Sequence, residues 1–224
     1  MTEIRGLLFD LDNTLLDRTR TFGRFAERFT DTFLPHITKI EERSRIIADI
    51  IERDEDGYKD KPLLFKELRS VLPWKKGMKP SADELLRFYQ SVYVNSAVLM
   101  EDAEEILSYC KKKYKVALVT NGKTAIQYGK IDNLGLRGYF DAIVVSEEAG
   151  IKKPDPAIFA KALAELSLTP EQCVFIGDHP VNDIAGAARA GINGIWMKVN
   201  QPWQDEAGPA PFTVTGLWEL LQVI

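Results

Sequence analysis

Residues 4–16 read Ile4-Arg5-Gly6-Leu7-Leu8-Phe9-Asp10-Leu11-Asp12-Asn13-Thr14-Leu15-Leu16. The apolar run Leu7-Leu8-Phe9 predicts a strand buried on both faces, as in a parallel sheet. It gives way to two carboxylates one residue apart. Side chains alternate across a strand, so Asp10 and Asp12 leave its carboxyl end on the same side. Open α/β sheets bind their ligands outside those ends. Two acids this close repel unless a cation or a shared proton relieves them. Taken alone, the stretch reads equally well as a polar strand exit with Asn13 and Thr14 in a turn. Counter-charges further along the chain decide between the two.

The next strand-like run is far away. From about Arg18 to Ser96 only helix patterns occur. Phe22, Phe25, Ala26, Phe29 and Phe33 keep helical spacing up to Pro35. Ile46, Ile47, Ile50 and Ile51 form a second stripe, closed by the turn Asp54-Glu55-Asp56-Gly57. That acidic turn lacks the ligand spacing of a calcium loop. Leu63, Leu64, Leu68, Val71 and Leu72 give a third helix, and Ser81 with Glu84 opens a fourth through Leu85, Phe88, Tyr89 and Val92. Four amphipathic helices in succession predict a small bundle.

From Met100 onward helix and strand alternate. Strands are expected at Val116–Thr120, Ala142–Val145, Cys173–Ile176 and Gly194–Met197. The helices between them cover about 102–112, 124–134, 156–166 and 182–190, with a short terminal one at 216–222 and a surface loop over 202–211. This order predicts a parallel sheet with right-handed crossovers. The reading divides the chain into an α/β core, residues 1–16 and 97–224, and a helical insert, residues 17–96, lying just after the first strand and over its carboxyl end.

Composition sets the outer bounds. The 224 residues suit one large domain or a core with an insert. A net charge of -4 gives no footprint for nucleic acid, and Lys111–Lys113 read as cations at a helix C-terminus. No stretch is long and apolar enough to span a bilayer, and the N-terminus shows no signal-peptide core. Cys110 and Cys173 lack metal-ligand spacing and read as buried thiols of a reducing compartment. A soluble cytoplasmic protein is expected.

Three further polar groups fall at or just beyond predicted strand ends. They are Thr120-Asn121-Gly122, then Lys153-Pro154-Asp155-Pro156, then Gly177-Asp178 with Asp183. In a parallel sheet all three converge on the mouth that holds Asp10 and Asp12. Oxygen ligands of this charge suit Mg²⁺, and a lysine and a hydroxyl suit phosphate oxygens. An acid beside a metal can act as a nucleophile and form an acyl-phosphate.

This ordered set resembles the haloacid dehalogenase superfamily of hydrolases. Phe9-Asp10-Leu11-Asp12-Asn13-Thr14 matches its first motif, Thr120-Asn121-Gly122 its second, Lys153 before Pro154 its third, and Gly177-Asp178 with Asp183 its fourth. The resemblance implies a Rossmann-like core with a helical cap between the first and second motifs. It makes Asp10 the nucleophile and Asp12 the general acid/base, whose backbone carbonyl also binds metal. Asp10 and Asp178 become the carboxylate ligands of Mg²⁺, and Asp183 holds the metal's waters or Lys153. Thr120 and Lys153 bind the phosphoryl group, with loop amides from Asn121 and Gly122.

Each assignment keeps its plainer reading. Lys153 has Lys152 beside it and reads also as half of a surface pair. Thr120 reads also as a strand-end hydroxyl, and Asp183 as a helix N-terminal acid. His179 fits a loop contact better than proton transfer. Dehalogenases of the superfamily generally lack a carboxylate at the place of Asp12, which favours phosphoryl transfer. The expected reaction is Mg²⁺-dependent hydrolysis of a small phosphorylated metabolite. A sugar-phosphate mutase is the alternative enzyme, because it needs the same groups. A signalling receiver module also gathers acids, a Thr and a Lys around Mg²⁺, but without a four-helix insert. The substrate and the oligomeric state are not legible. Arg18, Arg20 and Arg24 fit either an anionic ligand or a solvated helix face.

Overall fold

The computed structural model describes residues 3–224. The chain divides into two compact units, Met1–Asp17 with Leu99–Ile224, and Arg18–Val98. The second is helical: α1 (Arg18–Phe33), α2 (Ile40–Arg53), α3 (Lys61–Val71) and α4 (Ala82–Val92). Its core is aromatic because α1 carries phenylalanines at helical spacing. Phe25 meets Tyr89 of α4 edge-on at 5.3 Å, and Phe29 stacks on Phe65 of α3 at 6.5 Å. Polar side chains close the helix starts, with Asp60 accepting from the Leu63 amide and Ser81 from the Glu84 amide.

The first unit is built on six parallel strands. These are β1 (Gly6–Phe9), β2 (Lys115–Thr120), β3 (Ala142–Val145), β4 (Cys173–Gly177), β5 (Asn193–Met197) and β6 (Phe212–Val214), in the order β3-β2-β1-β4-β5-β6. The helices are α5 (Ala103–Lys113), α6 (Thr124–Asn133), the single turn α7 (Ser146–Ala149), α8 (Pro156–Leu166) and the short α9 (Gly186–Arg189). Under α8, Ile158, Phe159 and Ala162 pack on Leu8, Val119, Val144 and Phe175 of four neighbouring strands. Burying β1 on both faces explains its unbroken apolar run. In register, Leu8 lies opposite Ala117 on one side and Phe175 on the other. The chain builds outward from β1 first through β2 and β3, then through β4, β5 and β6. The order therefore reverses beside β1, and such a switch point leaves a crevice at the carboxyl ends of β1 and β4.

Three stretches depart from the reading of the sequence. The expected loop at 202–211 leads into a sixth strand, β6, too short to carry a pattern and set directly behind Pro209 and Pro211. The terminal segment Leu217–Gln222 is 3-10 rather than α-helical, and the expected helix at 182–190 begins as a π-helical turn, Pro180–Ala185. Among the described residues no helix is long and apolar enough to cross a membrane.

Candidate active site

Asp10 is the first residue beyond β1, and its amide extends the pairing to β4 by donating to the Ile176 carbonyl (2.9 Å). Its carboxylate is buried with those of Asp178 and Asp183, and the three can each offer an oxygen within 4.8 Å of the others. Buried Lys153 reaches into this group, pairing with Asp10 Oδ1 and with Asp183 Oδ1 (2.7 Å). Asp183 comes so close because β4 ends in glycine. A Cβ on Gly177 would lie 2.5–2.7 Å from the Asp183 side chain. The His179 amide donates to Asp183 Oδ2 (2.9 Å), and the Trp196 indole donates to the Asp178 carbonyl (2.8 Å). These contacts fix the π-helical turn against the strand ends.

Asn121 and Gly122 are both engaged by neighbours at the strand end. The Asn121 side chain clamps the Lys153 backbone, donating to its carbonyl (3.0 Å) and accepting from its amide (2.9 Å). The Gly122 amide is engaged by Ser146 Oγ (3.0 Å). His179 caps the π-helical turn. Its Nδ1 accepts from the amides of Val181 (3.1 Å) and Asn182 (3.2 Å), so that nitrogen carries a lone pair. Arg18 is buried inside the helical unit against Asp54 and Asp56, whereas Arg20 and Arg24 are exposed.

The charge of the strand-end cluster does not balance. Three carboxylates face one ammonium. Burial pushes the Asp10 carboxyl up to about 7; Lys153 opposes the shift, and Asp183 and Asp12 add to it. Burial works against the charge on Lys153, yet Asp10 and Asp183 outweigh it and raise its pKa. A buried excess of negative charge with oxygen donors alone fits a hard divalent cation.

A second polar group stands beside the first and contains residues that the sequence reading passed over. Asp12 turns its carboxylate to Lys130 of α6, whose Nζ lies 2.7 Å from both oxygens. The Gln127 amide nitrogen, one helical turn earlier, reaches Asp12 Oδ2 (3.0 Å), Thr120 Oγ1 (2.6 Å) and the Asn121 carbonyl (3.3 Å). Both α6 side chains are almost fully buried. The available signal was their spacing of three, which places two long polar groups on one helix face.

A profile of the haloacid dehalogenase-like hydrolases matches residues 4–191. The glyceraldehyde 3-phosphate phosphatase of Pyrococcus furiosus is 25% identical over 227 residues, spanning 100% of this chain and 94% of that protein. Human N-acylneuraminate-9-phosphatase is 28% identical over 233 residues, spanning 98% and 93%. Among solved structures, the magnesium-bound HAD-hydrolase YfnB of Bacillus subtilis superposes with a TM-score of 0.78 at 23% identity, covering 99% of each chain. At that identity the match speaks for the fold.

Proposed function

Since the chain belongs to the haloacid dehalogenase-like hydrolases, we propose that it is a Mg²⁺-dependent phosphatase that hydrolyses a small phosphorylated metabolite through an aspartyl-phosphate on Asp10. The observation that carries this reading is the convergence of Asp10, Asp178, Asp183 and Lys153 at one mouth, with Asp12 two residues beyond the nucleophile. The relatives named above support it, since both are phosphatases named for small phosphorylated compounds.

Each side chain then has one task. Asp10, ionised, attacks phosphorus. Lys153 already lies on the Asp10 carboxylate, where its charge offsets that of the phosphoryl oxygens. The Thr120 hydroxyl donates to one of those oxygens. Asp12 protonates the leaving oxygen and then takes a proton from the water that splits the aspartyl-phosphate. Inorganic phosphate leaves and Asp10 is restored. Asp183 and Asn121 keep Lys153 in place, one at its ammonium and the other at its backbone. Held by the carboxylates of Asp10 and Asp178 and the Asp12 carbonyl, Mg²⁺ would screen the repulsion between nucleophile and phosphoryl group.

The helical unit, Arg18–Val98, is assigned the role of a cap that restricts the site to small substrates. A reducing cytoplasm completes the reading. Both cysteines are free, and burial pushes the Cys110 thiol to about 12 and the Cys173 thiol to about 11.

The test is phosphate release from a panel of phosphorylated metabolites. Turnover should require Mg²⁺, stop with a chelator, and disappear in Asp10→Asn while the fold survives. Asp12→Asn should accumulate phosphoenzyme when the leaving group is good. Turnover in excess chelator, or label on a residue other than Asp10, defeats the proposal. Return of the phosphoryl group to a sugar with little free phosphate would make the enzyme a mutase.

A further inference from the structure

We propose that Lys130 and Gln127, on the inner face of α6, are positioning residues. Lys130 sets the direction of the Asp12 carboxylate, and Gln127 links it to the Thr120 hydroxyl. The inference rests on the phosphatase reading, since it concerns how that site is held.

The starting point is a burial that local needs do not explain. A lysine near the end of a helix normally lies in water, where it complements the helix dipole without losing hydration. Lys130 is instead 2% exposed and gives Asp12 its ammonium, while the Asp12 side chain is 24% exposed. Water reaches the carboxylate more readily than the ammonium, so Asp12 has solvent for part of its hydration. Equal distances of 2.7 Å to Oδ1 and Oδ2 place Nζ on the bisector of the carboxylate, and Gln127 adds a third contact at Oδ2 alone. Together these contacts fix both the position of the group and the rotation of its plane.

The Gln127 amide has a determined orientation. Its partners include the Asn121 carbonyl, which only accepts, and the Asp12 carboxylate, which accepts when ionised, so the nitrogen must face them. That nitrogen also lies 2.6 Å from Thr120 Oγ1. When Thr120 accepts there, its own proton stays available to a phosphoryl oxygen. One side chain thus connects the acid for the leaving group with a hydroxyl for the transferred group, and both depend on the placement of α6. Proton transfer by a well-placed side chain contributes about 10²–10⁴-fold, and misdirection forfeits part of it.

The experiment compares kcat/KM for an alkyl phosphate, whose leaving oxygen needs a proton, with p-nitrophenyl phosphate, whose leaving oxygen does not. Lys130→Met should lower the alkyl value by about 10²-fold and the aryl value far less. Lys130→Arg should recover part of the loss. In an Asp12→Asn background, Lys130→Met should add almost nothing, because its effect passes through Asp12. Equal losses on both esters overturn the proposal, as does a full additional loss in the Asp12→Asn background. If Lys130→Met does not fold, Lys130→Arg is read in the same way. A smaller selective loss on the alkyl ester supports the proposal, and none overturns it. The phosphatase reading fails separately. If the wild type releases no phosphate from either ester, that reading fails and takes this inference with it. An active wild type with an inert Asp10→Asn and an unselective Lys130→Met overturns the inference alone.

Discussion

Each unit of this protein buries a group of charges, and the two groups are balanced differently. In the helical unit, Asp54 is fully buried between Arg18 and Lys61, with Lys61 Nζ 2.7 Å from Oδ1 and Arg18 on Oδ2. Arg18 also reaches Asp56 at 3.3 Å. Two cations thus meet two carboxylates, and the set joins the start of α1, the end of α2 and the start of α3. At the strand ends of the core, three carboxylates meet one lysine. Buried charge is expensive to strip of water, and only compensation makes it tolerable. A set that balances needs nothing further, and its acids are structural. An unbalanced set is relieved only by a bound proton or by another cation, and a metal-dependent site uses the second. Acidic residues at a turn or strand end look alike in sequence; the count of opposing charges around them separates the two cases.

The largest effect should come from breaking the balanced group. Asp54→Asn leaves two buried cations short of one carboxylate and should cost about 3–5 kcal/mol of stability, read by denaturant unfolding. In the core the same kind of change should run the other way. Above pH 7, where its carboxyl is ionised, Asp10→Asn removes one of the excess charges and should raise the thermal midpoint of the metal-free protein, while abolishing turnover. If Asp54→Asn is nearly neutral, or Asp10→Asn destabilises the metal-free protein, the contrast between the groups is wrong.

A pH series sharpens the comparison. Burial raises the Asp10 carboxyl from its ordinary 3.8 to about 7, so the folded protein holds that proton more tightly than the unfolded chain does. A group shifted in this direction contributes stability that is complete below its unfolded value and is lost as pH rises through its folded value. Metal-free protein should therefore lose thermal stability between about pH 4 and pH 7. Mg²⁺ binds the ionised carboxylate, so it should stabilise more at pH 7.5 than at pH 5, by about the stability that the metal-free protein has lost. A midpoint gain from Mg²⁺ that is the same at both pH values contradicts the assignment of the excess charge to Asp10.

What the sequence disclosed follows from where each signal resides. Five strands and the main helices were legible because burial imposes a period. Asp10, Thr120 and Asp178 stood out because each falls where an apolar run ends, and Lys153 and Asp183 follow such ends by a short stretch. β6 was not legible, since three residues with Phe212 half exposed leave no run to detect. Gln127 and Lys130 were missed for a different reason. Two polar residues three apart on a helix normally mark its wet face, and only the packing of α6 against the strand ends turns that face inward. The engagement of the Gly122 amide by Ser146 is likewise a long-range fact, joining residues 24 apart in the chain. Signals carried by neighbours in sequence were legible, and partnerships made by tertiary packing were not.

The smallest expected effect tests how far the balanced group depends on its surroundings. Gly57 has φ +93, and a Cβ there would stand 2.6–2.7 Å from the Arg18 guanidinium. Gly57→Ala should therefore act twice. A left-handed backbone costs an L-residue about 1–2 kcal/mol. The new methyl must also displace a guanidinium that is held on Asp54 and lies 5.4 Å over the Phe22 ring. A flexible side chain can move, so the second part should be the smaller wherever Arg18 is free to shift. In Asp54→Asn protein the pair is already broken, and displacing Arg18 should then cost little. The stability lost to Gly57→Ala, measured in wild-type and Asp54→Asn backgrounds, should be smaller in the second, and the difference is the share carried by the ion pair. An identical loss in both would mean that Gly57 answers to backbone geometry alone, and the charge group would then tolerate a shifted Arg18.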